Sequence, residues 1–548
     1  MTKTEKKKQK IWLVLGLAVG VLSGLVVWRG LKSRCDTDVR SPTMVDRGCE
    51  SVRLIVGLGS YDVQAAKTFV NSMFPYDGFL IRWARFVAWA THQVFCIIPD
   101  ALTTVSFVNP VSRTPIWLAK GNPFTNYPRS SQPETNLPEE VQVAVIGAGF
   151  TGAACAYHWA KQGAGTMVIL EMNDPASAAS GSNEGLVVMG RYFAMVKGTV
   201  RKHLDLARSD LTPAQRDKLA SQFAAAYAKS AYKNADLIEE TIAREGYDCD
   251  YARNGWIQVV DEEDQAALEE SVHLGQAAGF DDWGTIQPDD ALKLAGIRLD
   301  NPAGFSQGAA HFHPAKWVWS LLKTALEQPF VSLFTRTQVI RVQDAGDHYL
   351  VHTTRGPIKA RFVINATESF TGLLHEQYRD LIDPVQTQAA FAEGGSPNMA
   401  PDIGYSCKRG FFGRMAHPPG ALFGSDGTHL SYREAGRNRP SRFITKFLIG
   451  ELHRYFGRSS LRVTHEWSST AGFTTDEFPV VGLLDDNRQY IIGGMCGSGT
   501  AVSFNAARHV VQKILDLDGP DDYPTQYFAP TRLLAPAEHP WPEIEGET

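Results

Sequence analysis

Three closely spaced glycines mark the part of the chain whose residue types best suit the binding of a nucleotide. They lie in the motif Gly147-Ala148-Gly149-Phe150-Thr151-Gly152, which follows the apolar run VQVAVI and precedes a helical pattern. The first glycine permits a tight turn, the second lets the backbone approach a pyrophosphate, and the third lets helix and strand pack closely. Glu171 ends the next strand pattern, where a carboxylate accepts hydrogen bonds from ribose hydroxyls. The motif predicts a dinucleotide site without choosing the dinucleotide.

Two further segments of small residues favour a bulky, flat cofactor. The first, 178–185, directly follows the second strand and could offer backbone N–H groups to such a group. Its expected binding residues are Ser180, Gly181, Asn183 and Gly185. The second is the turn GGMCGSGT before the last long helix, whose expected binding residues are Gly494, Gly497, Ser498, Gly499 and Thr500. A helix that starts at this turn would direct free N–H groups and a partial positive charge at its ligand.

Taken in order, these motifs resemble those of the D-amino-acid-oxidase-like FAD-dependent oxidoreductases, in the branch of glycine, sarcosine and γ-glutamylputrescine oxidases. The resemblance covers most of residues 110–530 and includes TPIWLAKGNPF, AHFHPAKWVWSLLKTA, TQVIRV, ARFVINATESFTGLL and EWSSTAGFTTDEFPVVG. It implies FAD as the cofactor, and it adds Val339, Ala366 and Thr367 to the cofactor-binding residues. The loop after Glu171 contains no histidine, so we expect the FAD to be held without a covalent bond. Ser469 stands where the family has glycine, and Cys496 stands where serine is commoner.

The resemblance also implies a reaction, the oxidation of an amine or amino acid. A C–H bond next to a neutral amine nitrogen gives hydride to the flavin, and water then hydrolyses the imine. Because no strong protein base is needed, we assign no catalytic residue. The turn before the last helix is expected to face the flavin ring and to stabilise the negative charge that hydride brings.

The substrate ligands are expected among arginines, because a bidentate arginine suits an amino-acid carboxylate. Arg433 is the first choice, with Tyr432 beside it. The other candidates are Arg191, Arg409 and Arg414. Three further residues near the motifs are interpreted as structural: His311, His313 and Cys496.

Three functions remain open at this stage. An oxidase would pass the electrons to oxygen and form peroxide. A dehydrogenase would pass them to a quinone or another carrier. A flavin-binding protein would use its flavin structurally or serve mainly to bind a partner. The family branch favours the first, and an apolar segment at the N-terminus favours the second.

The alternation of strand and helix patterns predicts an α/β fold. The resemblance implies that this fold is divided into a Rossmann-like, doubly wound FAD-binding domain and a discontinuous α+β substrate domain. An N-terminal transmembrane helix is expected in addition. The predicted boundaries are 1–34 for the membrane anchor, 35–140 for a juxtamembrane segment and linker, 141–200, 300–375 and 470–530 for the FAD domain, 201–299 and 376–469 for the substrate domain, and 531–548 for a C-terminal tail.

The anchor is predicted from residues 11–28, an uncharged run that follows a lysine-rich start and would span roughly 27 Å as a helix. A cleaved signal peptide and a buried soluble helix are the alternatives. The denser positive charge before the run predicts a single-pass protein with its N-terminus in the cytoplasm, and the side of the catalytic domain is left open. Cys35 and Cys49 could pair if they meet an oxidising compartment.

The composition of the chain limits the classes of partner that the protein is expected to bind. The net charge of −5 over 548 residues gives no reason to expect nucleic acid. The seven cysteines show no zinc-like spacing, so no metal site is expected. Residues 78–99, GFLIRWARFVAWATHQVFCIIP, are apolar and aromatic but contain Arg82, Arg85 and His92. They are read either as an amphipathic helix in the membrane interface or as a helix packed on the catalytic domain, and the arginines disfavour a second span.

Overall fold

The computed structural model describes residues 51–52, 54–56, 77–119, 121–125, 127, 136–163, 165–188, 193–394, 398–401, 403–407, 411–416, 419–429, 435–484, 488–517 and 523–544. Within these ranges no helix is both long and apolar enough to cross a bilayer. The predicted anchor at residues 11–28 lies outside them, as do Cys35 and Cys49.

Strands within the described residues fall into two large sheets and one small pair. In chain order they are β1 (Val105–Ser112), β2 (Glu140–Ile146), β3 (Met167–Leu170), β4 (Leu186–Val187), β5 (Trp256–Val259), β6 (Trp283–Ile286), β7 (Ala303–Ser306), β8 (Ala310–His311), β9 (Val331–Phe334), β10 (Val339–Asp344), β11 (Tyr349–Thr353), β12 (Gly356–Asn365), β13 (Ile382–Glu393), β14 (Gly404–Cys407), β15 (Phe411–Ala416), β16 (Gly420–His429), β17 (Leu461–Thr474), β18 (Val480–Leu483) and β19 (Gln489–Gly493).

The helices alternate with these strands through most of the described chain. They are α1 (Phe79–His92), α2 (Ile98–Ala101), α3 (Phe150–Gln162), α4 (Phe193–Ala207), α5 (Pro213–Glu245), α6 (Gln265–Ala277), α7 (Pro288–Ala295), α8 (Pro314–Leu326), α9 (Thr371–Leu374), α10 (Arg442–Phe456), α11 (Gly499–Ile514), α12 (Thr525–Phe528) and α13 (Thr531–Leu534). A π-helical turn, Gln93–Ile97, joins α1 to α2.

The predicted helices around the glycine motif are confirmed, and their ends have local causes. Helix α3 ends at Gly163, which adopts a left-handed φ of 71° that suits glycine. Helix α5 begins after Thr212, whose side chain forms a capping box with Gln215. Helix α8 begins after His313, whose ring accepts the N–H of Lys316.

The eight-stranded sheet carries the glycine motif. Its strands run in the order β10-β11-β12-β2-β3-β9, and β19 and β18 continue from β12. The strands β12, β2, β3 and β9 are parallel where they pair, and β19 is parallel to β12. The glycine motif, Glu171 and Ala366 follow β2, β3 and β12. They therefore meet at the carboxyl edge of the sheet, where ligands bind in open α/β sheets.

The two faces of this sheet are covered differently. Val143 and Val145 of β2 belong to the main core with α3, α8 and α11. The alternate residues Ala144 and Ile146 pack against the antiparallel strands β10, β11 and β12. Helices therefore pack on one face, and the side chains of the other face form a second core with residues of β10, β11 and β12.

The nine-stranded sheet runs in the order β1-β17-β13-β16-β15-β14-β5-β7-β6. Helix α10 packs on it through Phe447, Leu448 and Leu452. Its start is tied to β13 because the Gln388 side chain donates to Ser441 O at 2.8 Å and to Thr445 Oγ1 at 2.9 Å. This sheet contains most of the strands that the sequence assigned to a substrate domain.

Three segments differ from the expected organisation. Residues 105–112, expected within a linker, form β1, which pairs in parallel with β17 at the sheet edge. Strand β7, expected in the FAD domain, pairs with β5 and β6. The expected C-terminal tail contains α13, whose fully buried Arg532 contacts Asp476 at 2.5 Å. The β1–β17 and β5–β7 pairings and the Arg532–Asp476 contact join residues more than 40 positions apart, so no local sequence signal predicts them.

Candidate active site

The glycine motif forms a tight turn between β2 and α3. Gly147 has a φ of 104°, and a Cβ built on it would lie 2.6 Å from Ala366 O. A Cβ on Gly152 would lie 1.9 Å from Gly147 O, and one on Gly149 would lie 2.6 Å from Ser180 Oγ. The three glycines therefore let the motif pack against itself, the 178–185 loop and the end of β12. Such a turn fits the close backbone approach that a pyrophosphate requires.

Helix α3 begins immediately after this turn, with Gly149 as its N-cap and no side-chain cap from that residue. The Phe150 N–H donates to Ser180 Oγ at 2.8 Å, which fixes the 178–185 loop to the helix start. The first turn of a helix carries N–H groups without helical partners and a partial positive charge. This end therefore suits the phosphates of a dinucleotide.

Glu171 lies beside the turn and holds it in place. Its Oε2 accepts the Ala148 N–H at 2.8 Å, and its Oε1 accepts the Asn173 N–H at 2.7 Å. Burial raises the pKa of Glu171, and the two N–H donors oppose that rise. Each carboxylate oxygen keeps a further lone pair, so both can still accept from ribose hydroxyls. The Thr337 N–H donates to Glu171 O at 2.8 Å, which brings the start of β10, with buried Val339, close to this site.

The 178–185 loop is anchored from several sides. Trp117 Nε1 donates to Asn183 O at 2.7 Å, Trp467 Nε1 donates to Ser182 O at 2.8 Å, and Arg414 Nε donates to Glu184 O at 2.7 Å. The Asn183 side chain accepts from Gly185 N at 2.7 Å and donates to Ala179 O at 2.9 Å. Asn183 thus shapes the loop through bonds within it.

Gly181 and Gly185 of this loop are also constrained by packing. A Cβ on Gly181 would lie 2.2 Å from Ala176 O, and a Cβ on Gly185 would lie 2.3 Å from Phe312 O. Gly185 also has a φ of 70°. Both positions therefore require glycine for the path of the loop itself.

The turn before α11 adopts left-handed conformations in succession. Gly494, Cys496 and Gly497 have φ values of 57°, 51° and 81°. Cys496 is buried, and its Sγ donates to Gly494 O at 3.2 Å, which agrees with a structural role. Around Gly499 a Cβ would meet nothing closer than Met495 Cγ at 3.8 Å and Phe150 Cδ2 at 3.9 Å. The end of this turn therefore lies against the start of α3, and a side chain at Gly499 would make ordinary van der Waals contacts there without a clash.

Three contacts bring the four predicted segments to one place. Gly147 faces Ala366, Gly149 faces Ser180, and Gly499 faces Phe150. Thr367 is joined to Thr371 through their hydroxyls at 3.0 Å, and the Thr500 hydroxyl donates to Leu186 O at 2.6 Å. The glycine motif, the 178–185 loop, the end of β12 and the turn before α11 therefore lie together, and the glycine cradle, the two helix N-termini and Glu171 fit FAD.

Sequence reasoning missed Glu368, a buried acid at the end of β12. It has a φ of 49°, its Oε2 accepts the Gly472 N–H at 2.6 Å, and its Oε1 accepts the Met495 N–H at 2.9 Å. Burial raises its pKa to about 7 despite these donors. Glu368 therefore joins the end of β17 to the turn before α11. The sign of this role in the sequence is that Glu368 is a single charged residue within a stretch of small and uncharged residues after β12.

Asn234 of α5 was also missed. This fully buried side chain accepts the N–H groups of Phe504 and Asn505 at 3.0 Å each and donates to Thr500 O at 2.8 Å. It thereby holds the first turn of α11 from the side. An asparagine within an otherwise apolar helix face was its only signal in the sequence.

The predicted substrate ligands have mixed outcomes. Arg433, Tyr432, Arg191 and Arg409 lie outside the described residues. Arg414 is described, and it is not placed as a carboxylate anchor. Its buried guanidinium donates to Glu184 O and to Phe312 O at 3.0 Å, and it lies 3.1 Å from His311 Nδ1. That expectation is corrected, since Arg414 holds the 178–185 loop.

The two histidines near the motif have structural positions, as interpreted from the sequence. His311 is buried against Arg414. His313 caps α8, and burial lowers its pKa to about 4. Within the described ranges no group of three or more His, Cys, Asp or Glu side chains is arranged to hold a metal ion.

The chain belongs to the DAO family of FAD-dependent oxidoreductases, whose family model matches residues 142–513. This confirms the superfamily and the FAD cofactor predicted from the motifs. Among curated proteins it is similar to γ-glutamylputrescine oxidoreductase of Escherichia coli, with 22% identity over 387 residues, covering 68% of this chain and 82% of the relative.

Solved structures share the fold. Glycine oxidase from Geobacillus kaustophilus matches with a TM-score of 0.57 and 18% identity, covering 70% of this chain and 96% of that one. L-proline dehydrogenase from P. horikoshii matches with a TM-score of 0.58 and 16% identity, covering 72% and 98%. The mixed α/β architecture is therefore that of this family.

Proposed function

We propose that this protein oxidises the C–N bond of an amino acid or amine, with FAD as the hydride acceptor. The observation that carries the proposal is the convergence of the glycine motif, the 178–185 loop, Ala366 and the turn before α11 at one site. The family match supplies the cofactor. The relatives named above act, by their names, on γ-glutamylputrescine, glycine and L-proline, which supports an amine or amino-acid substrate.

When bound, FAD supplies the acceptor for a hydride from the carbon next to a neutral amine, and water hydrolyses the resulting imine. The protein's part is to bind, orient and exclude water. The Trp117 and Trp467 contacts to the 178–185 loop keep that loop rigid. The N-terminus of α11 offers backbone N–H groups and a partial positive charge where negative charge would develop. This scheme needs no catalytic base.

We also propose that residues 11–28 anchor the protein in a membrane as a single span, with the N-terminus in the cytoplasm. The support is the uncharged run itself, its length against a bilayer core, and Trp12 and Trp28 at its ends. A membrane location favours a quinone or carrier as electron acceptor, whereas the resemblance to oxidases favours oxygen. Both acceptors remain candidates.

The deciding experiment uses the full chain purified in detergent, with its visible flavin spectrum recorded first. A panel of amines and amino acids is then added without oxygen, and bleaching of the flavin is followed. We expect bleaching by at least one class of substrate. A folded protein without flavin would overturn the cofactor assignment. Bound flavin that no amine or amino acid bleaches would favour the flavin-binding, partner-directed role instead.

A second measurement separates the acceptors. After a bleaching substrate is known, peroxide release in air identifies an oxidase. Reduction of a soluble quinone analogue without peroxide identifies a dehydrogenase. The anchor is tested separately by extracting membranes with alkali, since an integral protein stays with the lipid and a peripheral one is released.

A further inference from the structure

The first turns of α1 expose large apolar side chains to water. Phe79, Leu80, Ile81 and Trp83 are exposed by 72%, 77%, 55% and 55%. At about 100° per residue, Phe79, Leu80 and Trp83 fall within roughly one third of the helix circumference. Scattered single exposed apolar residues are ordinary on protein surfaces, whereas a cluster of aromatic and aliphatic side chains marks an interaction site.

The C-terminal half of the same helix packs against the core of the nine-stranded sheet and its helix α10. Trp89 packs against Phe447 and Phe443 of α10, with ring centroids 5.5 and 6.4 Å apart. Val94 and Ile98, which follow through the π-helical turn, are buried in the core beneath the nine-stranded sheet. The structure thus bears out packing on the catalytic domain for the C-terminal half of α1, and it leaves the N-terminal half projecting.

The charges on α1 complement an acidic surface. The helix, FLIRWARFVAWATH, contains two arginines and no acidic residue. Arg85 contacts Asp77 at 2.9 Å, and both side chains remain partly exposed. Arg82 has no acidic partner within the described residues. A basic, aromatic-rich helix that lies at a surface is typical of helices bound at the headgroup level of anionic membranes.

We propose that the first turns of α1 insert into the headgroup region of an anionic lipid bilayer. They thereby orient the two large sheets and the candidate active site relative to the membrane. The side chains of Phe79, Leu80 and Trp83 enter the interface, and Arg82, which borders them on the helix, contacts lipid phosphates. The inference rests on the exposure of these side chains and on the charge of Arg82, and it stands whether or not residues 11–28 form an anchor. The occupant is the lipid surface, because Arg82 adds an attraction that a plain apolar partner would not use.

The test measures how deeply the Trp83 side chain enters the lipid bilayer. The full chain is mixed with phosphatidylcholine–phosphatidylglycerol vesicles that carry brominated acyl chains, which quench nearby tryptophans. The chain has 12 tryptophans, so the quenching due to Trp83 is obtained as the difference between wild type and Trp83→Phe. We expect this difference to be large, whereas Trp541→Phe, in the C-terminal segment, should leave quenching unchanged. Equal quenching in wild type and Trp83→Phe overturns the proposal.

Further variants distinguish a lipid surface from a second copy of the chain. Leu80→Glu should abolish the Trp83 quenching, and Leu292→Glu, at a 48% exposed leucine of α7, should not. Both should keep the melting temperature, because the side chains are exposed. Arg82→Gln should lower the Trp83 quenching severalfold on anionic vesicles and leave it unchanged on pure phosphatidylcholine vesicles. If Leu80→Glu instead dissociates a dimer in lipid-free solution, and Trp83 is never quenched, α1 contacts a second copy and the lipid proposal fails.

Bleaching of the flavin by substrate should be unaffected in either case, so the outcome of this test is independent of the proposed reaction.

Discussion

The two glycine-rich segments of the site look alike in sequence but differ in what surrounds them. In the motif after β2, a Cβ on Gly147 or Gly152 would lie 2.6 or 1.9 Å from a backbone oxygen of the protein. In the turn before α11, a Cβ on Gly497 or Gly499 would meet no atom nearer than 3.9 or 3.8 Å. The first segment is closed by backbone atoms of the protein. In the second, a Cβ on Gly494 would also be blocked, by Thr474 Cγ2 at 2.7 Å, whereas at Gly497 and Gly499 the nearest atoms are at ordinary van der Waals distance, and we call this part the open segment.

This difference distinguishes two reasons why a glycine can stand at a given position in a binding site. Gly147 and Gly152 are needed for the fold, because side chains there would collide with backbone that cannot easily move. At Gly499 a Cβ would make only ordinary van der Waals contacts with the described residues, so we predict that glycine there leaves room for the cofactor. The same residue type therefore reports folding in one segment and cofactor space in the other, and substitutions can test the distinction.

The largest effect is expected from Gly152→Ala. The added Cβ would lie 1.9 Å from Gly147 O, so the turn and α3 must shift apart. We expect a loss of at least about 3 kcal/mol of folding free energy together with the loss of FAD. Thermal unfolding and flavin content measure both. The control is Gly163→Ala, where nothing lies within 4 Å and only the left-handed φ is strained, at about 1–2 kcal/mol. A Gly152→Ala protein with wild-type melting would contradict the closed interpretation of this motif.

Gly499→Val should lower the affinity for FAD and leave the stability of the fold unchanged. Because a Cβ at Gly499 would meet no atom nearer than 3.8 Å, the apoprotein should melt close to wild type, while FAD affinity falls by about tenfold or more, which is about 1.4 kcal/mol. Titration of apoprotein with FAD gives the affinity. Gly198→Val is the matched control, since that glycine lies in α4 with nothing within 4 Å. Unchanged FAD affinity in Gly499→Val would place the cofactor away from this turn.

The sequence predicts the closed segment better than the supports of the open one. The glycine spacing, the apolar strand before it and Gly163 at the end of α3 are local signals, so β2, α3 and the cofactor class could all be predicted. Asn234 lies 266 residues from Thr500, and Glu368 lies 127 residues from Met495. Their roles depend on which backbone groups the folded chain brings to them, which no local pattern encodes. Arg414 was misjudged for the same reason, because its carbonyl partners come from distant segments.

Asn234→Leu should weaken the open segment specifically. It removes the acceptor of the Phe504 and Asn505 N–H groups, at a cost of about 1–3 kcal/mol in stability. Because α11 starts at the turn, FAD affinity should fall as well, by less than in Gly499→Val. Asn234→Asp keeps the acceptor and loses the donor to Thr500 O, so it should be intermediate. Ser230→Ala, a buried position on the same helix, serves as control. A stability loss in Asn234→Leu without any change in FAD affinity would show that Asn234 supports the fold alone.

The last prediction concerns the pH dependence of stability at Glu368, which joins the turn before α11 to β17. Its pKa is raised by burial from 4.5 to about 7. A carboxyl with a higher pKa in the folded state binds its proton more tightly when folded, so it favours the folded state at low pH. That contribution is lost as the pH rises from about 4.5 through about 7.

The corresponding test compares wild type with Glu368→Gln across this pH range, by thermal unfolding of the apoproteins. Glutamine does not titrate, and it places an amide group against one of the two N–H donors, which gives an offset that does not depend on pH. Other carboxyls titrate equally in both proteins, so the difference in melting temperature isolates Glu368. We expect wild type to lose stability relative to Glu368→Gln as the pH rises toward about 7. A difference that stays constant, or that changes in the opposite direction, would show that the Gly472 and Met495 N–H groups hold Glu368 ionised throughout, and the turn before α11 would then be fastened at every pH.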